Sequence, residues 1–140
     1  MGDNNSTSGR DLVIRFLNKE PVPRMPAFSG MGHVTVAGLE QCGVRFAHVH
    51  ADAREMADTA ATSHTLYGFD CVVVPYDLGV EAEALGAKLN TYPDAEDLLY
   101  PTLREKPVTC AADIRVPDAL ENAGRIPVVC EAIRLLKAEL

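Results

Sequence analysis

Apolar and polar positions follow two rhythms along this chain. Leu12, Val13, Phe16 and Leu17 recur at helical spacing, with Arg10, Arg15 and Lys19 outside that stripe. Ser8 stands where an N-cap belongs and the prolines of EPVPRMP follow, which predicts a short amphipathic helix over residues 11–17. Residues 25–29 (MPAFS) read as a short strand, SGMGHV as a glycine-rich turn, and residues 34–42 as a helix closed by Gly43. The strongest periodicity lies between Asp52 and Tyr67. There Ala53, Met56, Ala57, Ala60, His64 and Tyr67 recur at three- and four-residue steps and predict one buried face. Asp52 and Glu55 form a D-x-x-E capping box whose charge suits the positive end of the helix, and Gly68 stops it.

The rhythm then changes. Residues 70–75 (DCVVVP) are a continuous apolar run and not an alternation, which predicts a parallel strand covered on both faces. Residues 80–85 predict a short helix ended by Gly86. Residues 90–117, with four prolines, read as an irregular excursion carrying a short strand and a helical turn. Residues 127–140 place Val129, Ile133, Leu136 and Leu140 on one helical face behind Pro127, a residue suited to a first turn. Strands separated by helices predict right-handed crossovers and an α/β fold, in one domain after a polar, disordered lead-in over residues 1–9. The last helix should feed a further strand, so the predicted sheet is incomplete.

Composition narrows the function classes. The chain has 140 residues, 47% hydrophobic and 24% charged, with a net charge of −7, and so lacks the clustered cations that nucleic acid or an anionic membrane requires. Its apolar runs fall well short of the ~20 residues that span a bilayer. The opening MGDNNSTSGR has no signal-peptide core, and its loose match to a myristoylation pattern at Ser6 is read as chance. Cysteines 42, 71, 110 and 130 show no CxxC spacing and no nearby histidine, which predicts reduced thiols of a cytoplasmic protein and no zinc finger. Cys71 and Cys130 read as small hydrophobes.

In parallel α/β sheets, ligands meet the loops beyond the carboxyl ends of strands. SGMGHV and PYDLG both satisfy that condition and should share one face. Asp77 therefore has the best claim of any carboxylate: it can orient a ligand or act as acid or base, or it can cap the following helix, and spacing alone favours the cap. Glu81 and Glu83 fit dipole complementation in that helix's first turn, with Glu81 a weaker pocket candidate. His33 follows two glycines that let backbone approach a ligand, although an exposed loop histidine fits equally well. His48 and His50 make an H-x-H pair without a third donor nearby. His64 reads as a hydrogen-bonded core residue.

Several segments together resemble one family. RDLVIRFLNKEPVPRMP and HADAREMADTAATSHTLYGFDCVVVPYD are similar to the opening helix and the next helix and strand of the uroporphyrinogen decarboxylase superfamily. VEAEALGAKL and GRIPVVCEAIRLLKAEL look most like its cobamide-dependent methyltransferase branch, which methylates coenzyme M or related thiols. The resemblance covers nearly all of residues 10–140. It implies the N-terminal part of a TIM-like (β/α)8 barrel, comprising N-terminal helices and the first two or three β/α units. It also implies zinc and a corrinoid for the complete enzyme, with a corrinoid protein and a small thiol as partners. Asp77 occupies the place of the decarboxylase aspartate that binds pyrrole N–H groups, and Tyr76, His33 and Glu81 would line the same wall. SGMGHV lacks the arginines with which the decarboxylases hold substrate carboxylates, so uroporphyrinogen decarboxylation is the second reading. No histidine here begins the His-x-Cys pair that binds zinc in the methyltransferases. A non-catalytic piece that binds a corrinoid protein, self-associates or completes another subunit is the third reading.

Overall fold

The computed structural model describes residues 8–105 and 108–140, so residues 1–7 of the expected lead-in lie outside the described residues. Helix α1 (Gly9–Leu17) begins where Ser8 Oγ accepts the Asp11 N–H. Helix α2 (Val36–Cys42) is capped by Thr35 and closes on Gly43 at φ 67°. Helix α3 (Ala53–Tyr67) starts at Asp52, whose side chain accepts the Glu55 N–H, and ends at Gly68 at φ 69°. Both glycines take the left-handed conformation that side chains resist. Helix α4 (Val80–Ala84) is a single turn, and α5 (Ile126–Glu139) carries Pro127 in its first turn. These elements form where local caps and breakers predict them, because both are satisfied within a few residues. Among the described residues no helix is long and apolar enough to cross a membrane.

Helix α3 is the centre of the packing, with α5 on one side and α2 on another. The core gathers Leu39, Phe46, Val49, Met56, Ala57, Ala60, Tyr76, Val80, Val129, Ala132 and Leu136. Each fully buried large side chain, such as Met56, contributes roughly 2–3 kcal/mol of transfer free energy. The buried face of α3 is rotated from the one expected. Thr59, Thr62 and Ser63 are buried, whereas His64 and Tyr67 are exposed. The hydroxyls can turn inward because each has a partner: Thr59 donates to Glu55 O at 2.6 Å and Thr62 to Thr59 O at 2.6 Å. The expected apolar stripe of α5 is likewise divided. Val129 and Leu136 are buried, but Ile133 and Leu140 remain 49% and 59% exposed.

The two expected strands are the main correction. Residues 25–29 and 71–75 run straight, without turn or bend, but join no ladder. A single backbone hydrogen bond, Asp70 N–H to Ala27 O at 2.8 Å, links them, and a strand pair needs that contact repeated. The run at 71–75 is also only half-buried, not covered on both faces. The sheet among the described residues is one short antiparallel pair, β1 (Leu89–Asn90) with β2 (Thr102–Leu103), at the start of and within the 90–117 excursion, where a short strand is expected. The Val74–Pro75 peptide is cis.

Candidate functional site

The glycine-rich turn and the end of the 71–75 run do meet. A Cβ at Gly32 would lie 2.1 Å from Pro75 O, so only glycine lets the two backbones approach this closely. Just beyond, Asp77 turns inward, its side chain 1% exposed. Its Oδ1 accepts the Gly79 N–H at 2.9 Å, which supports the start of α4 without making Asp77 that helix's N-cap. The capping reading of Asp77 therefore holds only in part, and most of its hydrogen bonding goes elsewhere.

The larger partner is Arg125, at the N-terminus of α5. Its guanidinium donates to Asp77 Oδ2 at 2.9 Å and Oδ1 at 3.1 Å, to Glu83 Oε2 at 2.6 Å and to the His50 carbonyl at 3.1 Å. A planar fork held this way is bidentate and charge-assisted, the strongest class of side-chain hydrogen bond. Gly124, at φ 51°, makes the approach possible: a Cβ there would lie 3.1 Å from both Ala84 N and Glu83 Cγ. His50 closes the cluster, with Nδ1 3.3 Å from Asp77 Oδ2 and its ring edge-on to Phe46. That approach is not aligned as a hydrogen bond, and neither His50 ring nitrogen has a partner although the side chain is 1% exposed.

The electrostatics follow from this packing. Burial alone pushes the Asp77 carboxyl up, but the His50 ring, the Arg125 fork and the Gly79 N–H outweigh it and hold the group well below the usual carboxylate range. Burial works against the Arg125 charge, yet Asp77 and Glu83 raise its pKa above the ordinary value. The cluster is a closed triad in which Arg125 lies between Asp77 and Glu83. A cation beside a helix N-terminus opposes the helix dipole, so Arg125 needs those carboxylates.

The other expected residues fall around this centre. Tyr76 is 5% exposed and faces α3, where its hydroxyl donates to Met56 O at 2.8 Å and lies 2.9 Å from Thr59 Oγ1. Burial pushes its phenol pKa up. His33 is half-buried on the glycine-rich turn and contacts Met31 O, Ser63 Oγ and the Phe69 ring, not Asp77. Glu81 is exposed, and it is Glu83 that joins the cluster. His48 is exposed where His50 is buried, and its Nε2 lies 2.7 Å from Arg45 Nη2. His64 is hydrogen-bonded as expected, to Phe69 O at 2.7 Å, but on the surface and not in the core. Zinc finds no fit here: among the described residues no three His, Cys, Asp or Glu side chains converge on one point. Exposed apolar groups flank the buried cluster, Leu78 at 85% and Tyr100 at 47%, the latter packed on Phe46.

Sequence reasoning missed Arg125 and Glu83 and gave His50 a different setting. One signal was present: an arginine directly before a proline-led apolar helix sits at the wrong end of the dipole and requires a buried acid.

Residues 8–140 match the uroporphyrinogen decarboxylase (URO-D) family. The chain is 33% identical over 134 residues to methylcobamide:CoM methyltransferase MtbA of Methanosarcina acetivorans, an alignment covering 91% of this chain and 37% of that protein. It is 33% identical over 117 residues to the methylated-thiol–coenzyme M methyltransferase of Methanosarcina mazei, covering 83% of this chain and 30% of that one. A solved methyltransferase from Methanosarcina mazei superimposes with a TM-score of 0.87 at 28% identity, over 96% of this chain and 40% of its own. This chain therefore spans well under half the length of the relatives it matches.

Proposed function

The chain belongs to the uroporphyrinogen decarboxylase family, and on that premise we propose that it forms the N-terminal portion of a methylcobamide:thiol methyltransferase with a (β/α)8 barrel. The single observation that carries this reading is agreement in both sequence and backbone with Methanosarcina methyltransferases along nearly the whole chain. A corrinoid protein would deliver the methyl group and a small thiol would accept it. When bound, a corrinoid would supply the methyl group that the sulfur of the thiol accepts.

The residues of this chain act as wall and support. Asp77 holds Arg125 and faces His50, fixing the loop after residue 75, the start of α4 and the start of α5 in one arrangement. Tyr76 anchors the same loop to α3. The exposed side chains of Leu78 and Tyr100 would offer apolar surface to a flat macrocycle, and the exposed Glu81 and half-buried His33 stay candidates for polar contacts to it. Zinc, which would hold the acceptor thiol in a complete enzyme of this kind, finds no donor set among the described residues of this chain. Decarboxylation of uroporphyrinogen is disfavoured because the turn at 29–34 carries no arginine, and Arg24, the nearest in sequence, is engaged by Asp70.

The test is a chimera in which residues 8–140 replace the matched segment of the Methanosarcina acetivorans enzyme. The expected result is cooperative melting with retained methyl transfer from methylcobalamin to coenzyme M, and no coproporphyrinogen from uroporphyrinogen. A chimera that melts cooperatively but transfers no methyl group, or that decarboxylates uroporphyrinogen, overturns the reading.

A further inference from the structure

The wall of Asp77, Arg125 and Tyr76 leaves the ring of His50 without a task. The residue is fully buried, and neither ring nitrogen has a hydrogen-bond partner among the described residues. An imidazole in such a place is costly unless something meets it, because each unpaired polar atom forfeits its bonds to water. Nδ1 lies 3.3 Å from Asp77 Oδ2, a carboxylate held well below its usual range. An ionised carboxylate can only accept, so the hydrogen of a neutral ring belongs on Nδ1 and Nε2 is left as a bare lone pair.

Three aromatic rings pack around the imidazole, Phe46 at 4.7 Å, Tyr76 at 6.2 Å and Tyr100 at 6.0 Å between centroids. Phe46 and Tyr76 are buried, but Tyr100 is half exposed and so reaches from the histidine to the surface. The charged groups around the ring are those of the cluster. Asp77 faces it, Arg125 donates to the His50 carbonyl, and Glu83 accepts from Arg125. The phenols of Tyr76 and Tyr100 are the other titratable groups against it, while His48, two residues back, is exposed and bonded to Arg45. By formal charge the cluster sets two acids against one base, so a proton arriving on His50 brings it to balance instead of adding an unpaired charge.

We propose that His50 Nε2 takes the proton of the acceptor thiol, with Asp77 as its positioning residue. The identity of the substrate rests on the proposed function; the choice of base rests on the geometry around His50. A thiol must lose its proton before its sulfur becomes the nucleophile. In this step the S–H bond breaks, its electron pair stays on sulfur, and the proton bonds to Nε2. The Nδ1–H of the resulting imidazolium faces Asp77, which stabilises the charge and fixes the tautomer, as the third member of a nucleophile–base–orienter set does. The 3.3 Å approach is not in line, and catalytic hydrogen bonds of this kind tighten when substrate binds. Rotation of the Tyr100 side chain gives the thiol its way in, and the proton leaves to water by the same route.

Nitrogen-15 NMR of the His50 ring tests this without a variant. In the full chain the neutral ring should carry its hydrogen on Nδ1, and in the chimera described above coenzyme M should convert it to the doubly protonated form. A neutral ring protonated on Nε2, or one that the thiol leaves unchanged, overturns the proposal. Calorimetry of coenzyme M binding in buffers of different ionisation enthalpy reads the same proton. The intact chimera should release about one proton fewer per bound thiol than its His50→Gln variant, because His50 keeps that proton in the protein. Equal release, or no thiol binding to a folded chimera, overturns it. Methyl transfer by His50→Gln should fall by about tenfold or more at neutral pH and recover as pH rises into the ordinary thiol range. A deficit that is constant with pH marks a packing role and refutes the assignment. A chimera that keeps the proton but transfers no methyl group sinks only the proposed function, whereas methyl transfer with equal proton release sinks only the role of His50.

Discussion

Replacing Asp77 by Asn tests the centre of the site most directly. The change keeps the side chain's shape and an oxygen for the Gly79 N–H, but removes the charge that Arg125 grips through two bonds at 2.9 and 3.1 Å. Asp77 and Arg125 are 1% and 9% exposed, so water cannot replace the lost partner. Breaking a buried ion pair from one side costs about 3–5 kcal/mol. Arg125 still keeps Glu83 and the His50 carbonyl, which places the expected loss near the lower end, about 3 kcal/mol. For a chain of this size that lowers the melting temperature by about 12 °C. Thermal and urea unfolding followed by circular dichroism measure it. Adding Arg125→Met should return about 2 kcal/mol relative to the sum of the single changes, because both charges then leave together.

The pH dependence carries a definite sign. The folded-state pKa of Asp77 is depressed, so its contribution is fully present above the ordinary carboxylate value of about 3.9 and is lost as pH falls through the lower folded value. The stability gap between wild type and Asp77→Asn should be flat from pH 7 to about pH 5 and shrink below about pH 4. A gap below about 1 kcal/mol at neutral pH, or one that does not narrow in acid, would refute the claim that this pair organises the site.

Gly32, Tyr76 and Arg24 give three further tests. Gly32→Ala forces a Cβ to within 2.1 Å of Pro75 O, a backbone atom that cannot swing away, and should destabilise by about 3 kcal/mol in urea titrations. Tyr76→Phe removes the hydroxyl that donates to Met56 O and should cost about 1 kcal/mol by the same assay, while leaving methylcobalamin affinity of the chimera unchanged if Tyr76 acts only as support. Arg24→Ala should raise the Asp70 carboxyl from about 2 toward the ordinary value, because the Arg24 fork is the principal group holding it down; carboxyl-carbon NMR titration reads this directly.

Legibility in the sequence followed the range of the interactions. Ser8, Asp52, Gly43 and Gly68 act on backbone groups within a few residues, and each performs the capping role that its position predicts. Spacing alone puts Tyr67 and His64 on a buried face, yet tertiary packing chooses Thr62 and Ser63, whose hydroxyls find partners of their own. The 71–75 run shows the same limit: its apolar content marks a strand, but a ladder exists only where a neighbour supplies it.

By itself the sequence determined the main helices, most of their caps, the glycine-rich turn after residues 25–29, and the prominence of Asp77. Only the tertiary structure decided what Asp77 does. Its grip on Arg125 joins residues 48 positions apart, and its facing histidine lies on another loop. Ion pairing of that kind depends on three-dimensional distance and on exclusion of water, and neither is written in the spacing of residues along a chain.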